Sequence, residues 1–129
     1  MGNRANFGFT AGEGQPTLFV YAHSGGYAML NTLAQAIDHA RPRWSDDGYA
    51  TRMCVSAIVG DAWRGELGYG LYIDQTGDNE HSVPVVNWDT QTVSLYPFFH
   101  GPFDPTVTPK FTMSLDAFVG KFAKYLQPV

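Results

Sequence analysis

Two hydrophobic rhythms alternate along the chain. Residues 6–11 (NFGFTA) and 17–22 (TLFVYA) repeat with a period of two, so both are predicted strands. The turn Gly12-Glu13-Gly14-Gln15 joins them as a hairpin. In the second strand Leu18, Val20 and Ala22 share one face, and Phe19, Tyr21 and His23 the other. The rhythm then becomes helical. Leu30, Leu33, Ala34 and Ile37 form the core stripe of a helix over 27–40, with Asn31, Gln35 and Asp38 turned to water and Pro42 beyond its end. Asp46 or Asp47 caps a second helix, roughly 47–59, which Gly60 closes. That helix is apolar nearly all round, so it is expected to be covered on most sides. Its exception is one stripe, Tyr49, Arg52 and Ser56, at i, i+3 and i+7.

The second half returns to the shorter period. Residues 68–74 (GYGLYID) are a predicted third strand, and 75–82 a polar, mobile loop. Residues 83–88 and 92–96 form a hairpin through Asp89-Thr90-Gln91. The stretch 97–109 holds four prolines and cannot be regular, but Phe98, Phe99 and Phe103 argue that it packs down. Ser114 caps a last helix, 115–126, striped by Leu115, Phe118, Val119, Phe122 and Leu126. The order β-β-α-α-β-β-β-α implies an α+β fold, a single two-layer domain. It would have a mostly antiparallel sheet of about five strands, with three helices on one face.

Composition narrows the function classes. The 129 residues suit one domain, and 44% hydrophobic residues suffice for a core. A net charge of −4 and a pI near 5.3 give no global field for DNA or RNA, so nucleic acid is not an expected partner. No apolar run approaches the roughly 18 residues that span a membrane. The first residues lack the apolar core of a signal peptide. The lone cysteine, Cys54, cannot form an internal disulfide, and the expected location is the reducing cytoplasm. It lies on an apolar helix face and reads as core.

The sharpest chemical signal is the hinge Tyr21-Ala22-His23-Ser24-Gly25-Gly26-Tyr27. A strand meeting a helix through Ser24-Gly25-Gly26 leaves amide N–H groups for an anion, beside a hydroxyl and an imidazole. The competing reading is a tight turn whose glycines supply unusual backbone angles, with His23 bonded to a carbonyl. Arg52 is the second candidate. Its guanidinium could clamp a carboxylate or phosphate, or could be paired internally with Asp61, Glu66 or Asp74. Asn3 and Arg4 matter if the first strand holds them beside that pocket, and are otherwise a frayed end. Trp63, Trp88, Tyr21, Tyr27 and Tyr72 are candidates for stacking on a base, with core packing as the alternative for each. The four histidines have no metal-ligand spacing, and no phosphate-binding or nucleophile-elbow motif occurs. No metal and no cofactor is expected.

Gly2-Asn3-Arg4-Ala5, the strand end Val20-Tyr21-Ala22-His23 with Gly25-Gly26, and Tyr49-Ala50-Thr51-Arg52 leading to Val59-Gly60-Asp61 carry a resemblance. Over its first half the chain resembles small phage and bacterial proteins that open G-N-R-A. Those proteins carry an H-W-x-G-like turn after the second strand and a Y-x-x-A-R…I-G-[ND] helix. Ser24 stands here where the aromatic would, and Thr51 separates Ala50 from Arg52. The resemblance implies that Asn3, Arg4, His23, Gly25, Arg52 and Asp61 belong together, and that the chain is viral.

Three readings follow. The first is a binding protein for a small anionic, nucleotide-derived ligand such as a cyclic nucleotide or ADP-ribose derivative. Its site would comprise Asn3, Arg4, His23, Ser24, Gly25, Gly26, Tyr27, Tyr49, Arg52, Ser56, Asp61 and Trp63. In a phage it would sequester a nucleotide signal of host immunity in the host cytoplasm. The second is a phosphodiesterase-like hydrolase with His23 as acid/base, disfavoured by the lack of a nucleophile or metal cage. The third is an inhibitor of a host protein acting through the 97–109 loop, with Phe98, Phe99 and Phe103 as an apolar patch. An uncovered strand edge makes a homo-oligomer a further expectation.

Overall fold

The computed structural model describes residues 3–124 and shows an α+β fold with one mixed six-stranded sheet and three α-helices. Strands β1 (Ala5–Thr10) and β2 (Thr17–Ala22) form the expected hairpin, with Ala5 opposite Ala22. A 3₁₀ turn, Gly26–Ala28, leads into α1 (Met29–His39). Helix α2 (Asp47–Val59) matches its expected bounds: the Asp46 side chain accepts the Tyr49 N–H, and Gly60 closes it at φ 59°. After a further 3₁₀ turn (Gly60–Arg64), β3 (Tyr69–Ile73) pairs antiparallel with β2. Strands β4 (Val83–Asn87), β5 (Thr92–Tyr96) and β6 (Phe111–Ser114) form an antiparallel meander, and α3 (Leu115–Phe122) follows. Across the sheet the order is β3-β2-β1-β4-β5-β6, and β1 runs parallel to β4.

Two expectations about the sheet need correction. There are six strands and not five, because Phe111–Ser114 is a strand hidden between the prolines and a helix cap. Four residues show only two alternations, too few to read as a period. The register makes them clear: Ser94 and Thr112 share a hydroxyl bond of 2.8 Å on one face, while Phe111 and Met113 pack against the helix-side core. The sheet is also mixed, since β4 joins β1 in parallel. Leu126 of the last helical stripe lies outside the described residues.

Helices cover one face. Phe7, Phe9, Val20, Leu33, Ile37, Cys54, Val86 and Phe118 belong to the core between sheet and helices. Asn31 and Gln35, expected in water, instead turn to the end of α3. Asn31 Nδ2 donates to the carbonyls of Phe122 (2.9 Å) and Lys124 (3.1 Å), and Gln35 Nε2 donates to Asn31 Oδ1 (2.8 Å). They answer carbonyls that the helix end leaves unpaired. On the other face a smaller core holds Phe19, Val83 and Val85, with Phe99 and Phe103 of the proline-rich loop packed on it.

That second face also carries the crossover. Strands β3 and β4 both run parallel to β1, so the chain must return along the sheet between Ile73 and Val83. Segment 74–82 does this, and its residues 75–82, expected to be mobile, are tied down. Buried Asn6 accepts the Gly77 N–H and donates to the Asp78 carbonyl, each at 3.0 Å. Thr76 N–H donates to the Gly101 carbonyl (2.9 Å), and Asn79 Nδ2 to those of His81 and Phe99 (2.8 Å each). Gly77 is needed because a Cβ there would lie 2.8 Å from the Tyr72 ring and 2.9 Å from that of Tyr21.

Candidate functional site

The sheet separates the residues expected to converge. At one end stand the beginnings of β1 and β4 and the end of β2. Here Asn3, Arg4, His23, Gly26 and Tyr27 gather, with the first strand fixing Asn3 and Arg4 beside the hinge. The amide groups of the helix entry are not open, however. Oriented to suit its neighbours, the Asn3 side chain accepts the N–H groups of Tyr27 (3.0 Å) and Gly26 (3.2 Å) and donates Nδ2 to His81 Nε2 (2.6 Å). The Asn3 carbonyl takes the Gly26 N–H as well (2.9 Å). His81 also meets the Tyr27 ring edge-on at 5.4 Å between centroids. Two of the donors expected to meet an anion, the N–H groups of Gly26 and Tyr27, are thus held by Asn3.

Arg4 is likewise engaged by the crossover. Its Nε lies 3.1 Å from Asp78 Oδ2 and its Nη1 3.5 Å from Glu80 Oε1, while its backbone N–H donates to Glu80 Oε1 (2.9 Å). His23 is exposed, and its Nδ1 lies 3.2 Å from the Tyr21 hydroxyl. Ser24 and Gly25 are exposed beside it, with Gly25 at φ 88°. No carboxylate is bonded to the His23 ring among the described residues. The sequence reading missed His81, Asp78, Glu80 and Asn6 at this end. Asn6 left one signal, a lone amide inside an otherwise apolar strand.

Arg52 lies elsewhere. It lines a hollow of about 510 Å³ between α2, the 3₁₀ turn and the helix-side face of β1, β2 and β3. Phe9, Leu18, Val55, Leu71 and Ile73 supply its apolar walls, Trp63 one side, and Gln15, Asp47 and Thr51 its polar groups. Leu18 and His23 point to opposite faces of β2 and are five residues apart, about 16 Å along a strand. The expected meeting of Arg52 with His23 therefore does not occur. Strand register, invisible before pairing is known, decides this.

Arg52, like Arg43 and Arg64, is without an ion pair among the described residues, and of these three it is the one that lines the hollow. Arg4 is paired with Asp78 and Glu80; Arg41 is bonded to Asp116 (2.6 Å) and Asp38 (3.1 Å), which hold its guanidinium above the usual arginine range. Arg43 lies over the Tyr49 ring at 5.1 Å. Arg52 makes no ion pair among the described residues, with Asp61, Glu66 and Asp74 or any other carboxylate. Asp74 instead binds the Thr17 N–H (2.8 Å). Tyr49 and Ser56 stay on the outer stripe of α2 and, with Asp61, do not line the hollow. Trp63 is half exposed, at 51%, whereas Trp88 is buried against Phe9 and donates its indole N–H to Thr51 (2.9 Å).

Cys54 is buried, and burial pushes its thiol up to about 12, which makes it a poor nucleophile at neutral pH. Among the described residues no group of three or more His, Cys, Asp or Glu side chains is placed to hold a metal ion. No helix is long and apolar enough to cross a membrane. In the 97–109 loop Phe99 and Phe103 turn inward onto Phe19, which leaves Phe98 as the exposed ring and dissolves the three-phenylalanine patch. Compared with protein-family models, with curated proteins and with solved structures, the chain matches none.

Proposed function

We propose that the chain is a binding protein for a small anionic ligand with a flat apolar part, and that its site is the hollow holding Arg52 and Trp63. One observation carries this reading: Arg52, an exposed residue without an ion-pair partner among the described residues, lines an apolar hollow of ligand size. An unpaired cation in such surroundings favours a carboxylate or phosphate, which it can meet with two parallel N–H donors. Trp63 offers a ring face for a base or similar plane. A nucleotide-derived anion, such as a cyclic dinucleotide or an ADP-ribose derivative, combines both parts. The wider role, sequestering a nucleotide signal of host immunity in a host cytoplasm, rests on the resemblance to phage proteins.

Titration calorimetry against mononucleotides, cyclic dinucleotides and ADP-ribose derivatives tests the proposal. A binder should quench Trp63 fluorescence. Arg52→Ala should weaken it by about 10- to 100-fold, the worth of one charge-assisted contact. His23→Ala should leave affinity unchanged, since that ring lies at the other end of the sheet. Absence of heat across the panel would end the proposal.

A further inference from the structure

We propose that β3 is a pairing strand for a second copy of this chain, joined antiparallel about a two-fold axis at Leu71. β3 is a sheet edge, paired on one side with β2. Edges in soluble proteins are commonly guarded by charge, proline, a bulge or extreme shortness. β6, at the opposite edge, is four residues long and follows Pro109-Lys110. β3 has none of these devices: Tyr69-Gly70-Leu71-Tyr72-Ile73 is uncharged and without proline. Its helix-side groups are also poorly covered, with Tyr69 40%, Leu71 53% and Ile73 57% exposed. Trp63 (51%) and Leu67 (83%) extend the apolar surface. Patches of this kind mark interfaces.

The hydrogen-bond phase selects the partner and the register. His23 N–H donates to the Gly68 carbonyl, and Asp74 N–H to that of Thr17. The even-numbered residues of β3 therefore face β2, and the backbone groups of Tyr69, Leu71 and Ile73 face outward. An antiparallel copy centred on Leu71 matches outward residues with outward residues: Leu71 with Leu71, and Tyr69 with Ile73 twice. On the opposite face it sets Gly70, which has no side chain, against Tyr72. This register uses the whole strand, and shifting it by one pair leaves part of it unmatched. The partner's Tyr69 would then stand beside Ile73, at the open side of the Arg52 hollow.

Analytical ultracentrifugation without ligand tests the pairing independently of the binding proposal. A five-residue strand joint is small for a stable interface, so we expect monomer near about 1 μM and dimer near about 200 μM. Leu71→Lys should stay monomeric throughout, with the circular dichroism and melting temperature of the wild type. Leu71→Cys should form a disulfide-linked dimer on mild oxidation, because facing residues in that register are about 5.5 Å apart at Cα. Cys54 is buried, so the added thiol is the one that reacts. Ile73→Cys alone should not cross-link, but mixed with Tyr69→Cys it should. Wild type that stays monomeric, or dimers that survive Leu71→Lys, would overturn the proposal; Ile73→Cys linking as readily as Leu71→Cys would overturn the register.

Discussion

Replacing Asn6 tests whether the crossover is stapled to the sheet. The side chain is fully buried and serves two backbone groups of segment 74–82: the Gly77 N–H and the Asp78 carbonyl, each at 3.0 Å. Asn6→Ala removes both partners and leaves no other group in their place. Each lost bond costs about 1 kcal/mol net, and a buried group left unpaired costs roughly 1–3 kcal/mol. Two such groups, partly relieved by water entering the gap, give a loss of about 3 kcal/mol. That is a large share of the roughly 5–15 kcal/mol by which domains are stable. Urea unfolding should show the midpoint falling at constant slope. Asn6→Asp sharpens the test. It keeps an acceptor for Gly77 but puts a carboxylate against the Asp78 carbonyl, so it should be at least as damaging as alanine near neutral pH. Hydrogen exchange at Gly77 should accelerate in both variants. A loss below about 1 kcal/mol in Asn6→Ala, or an aspartate as stable as wild type, would refute the staple.

Three further outcomes follow from other contacts. At Gly26 a Cβ would collide with the His81 ring and lie 2.7 Å from the Asn3 side-chain amide, so Gly26→Ala should cost about 1–3 kcal/mol in thermal or urea unfolding. In a His81→Ala background the same change should cost measurably less. Asn31→Ala should cost about 1–2 kcal/mol, because two carbonyls at the end of α3 lose their donor; hydrogen exchange should report loosening confined to α3. Cys54 holds its proton more tightly folded than unfolded, with burial pushing the thiol up to about 12. Below about pH 9 this has no effect on stability, and above it stability falls by about 1.4 kcal/mol per pH unit toward 12. Cys54→Ala lacks that slope, so its stability deficit relative to wild type should shrink between pH 8 and pH 11.

Much of the fold was legible because local signals and burial agreed. The cap at Asp46 and the stop at Gly60 bound α2 as written, and the stripe of Leu33, Ala34 and Ile37 is buried as its spacing implied. β6 escaped because a short strand flush against a helix cap carries almost no period. The pinned crossover escaped for a different reason. Its composition is that of a solvated loop, and what holds it is Asn6, some seventy positions earlier. Asn31 and Gln35 were misplaced by the same logic, since an amide on the polar side of a helix looks alike facing water or facing another helix's carbonyls.

The candidate site was half legible, and the reason lies in the sheet. Residues next to one another in sequence at the Ser24-Gly25-Gly26 hinge do meet, and so do Asn3 and Arg4. Joining them to Arg52 required a register that one chain does not announce. The parallel pairing of β1 with β4 brings two strand beginnings to one end, and the crossover that reaches β4 carries Asp78, Glu80 and His81 there. That end is therefore filled by internal pairs. The other end has no such import from the crossover: α2 begins there with Asp47, β3 ends there as an uncovered edge, and Arg52 is left without an ion pair among the described residues. The topology that fills the first place with internal pairs brings none of them to Arg52 at the second, and the proposed site rests on that difference.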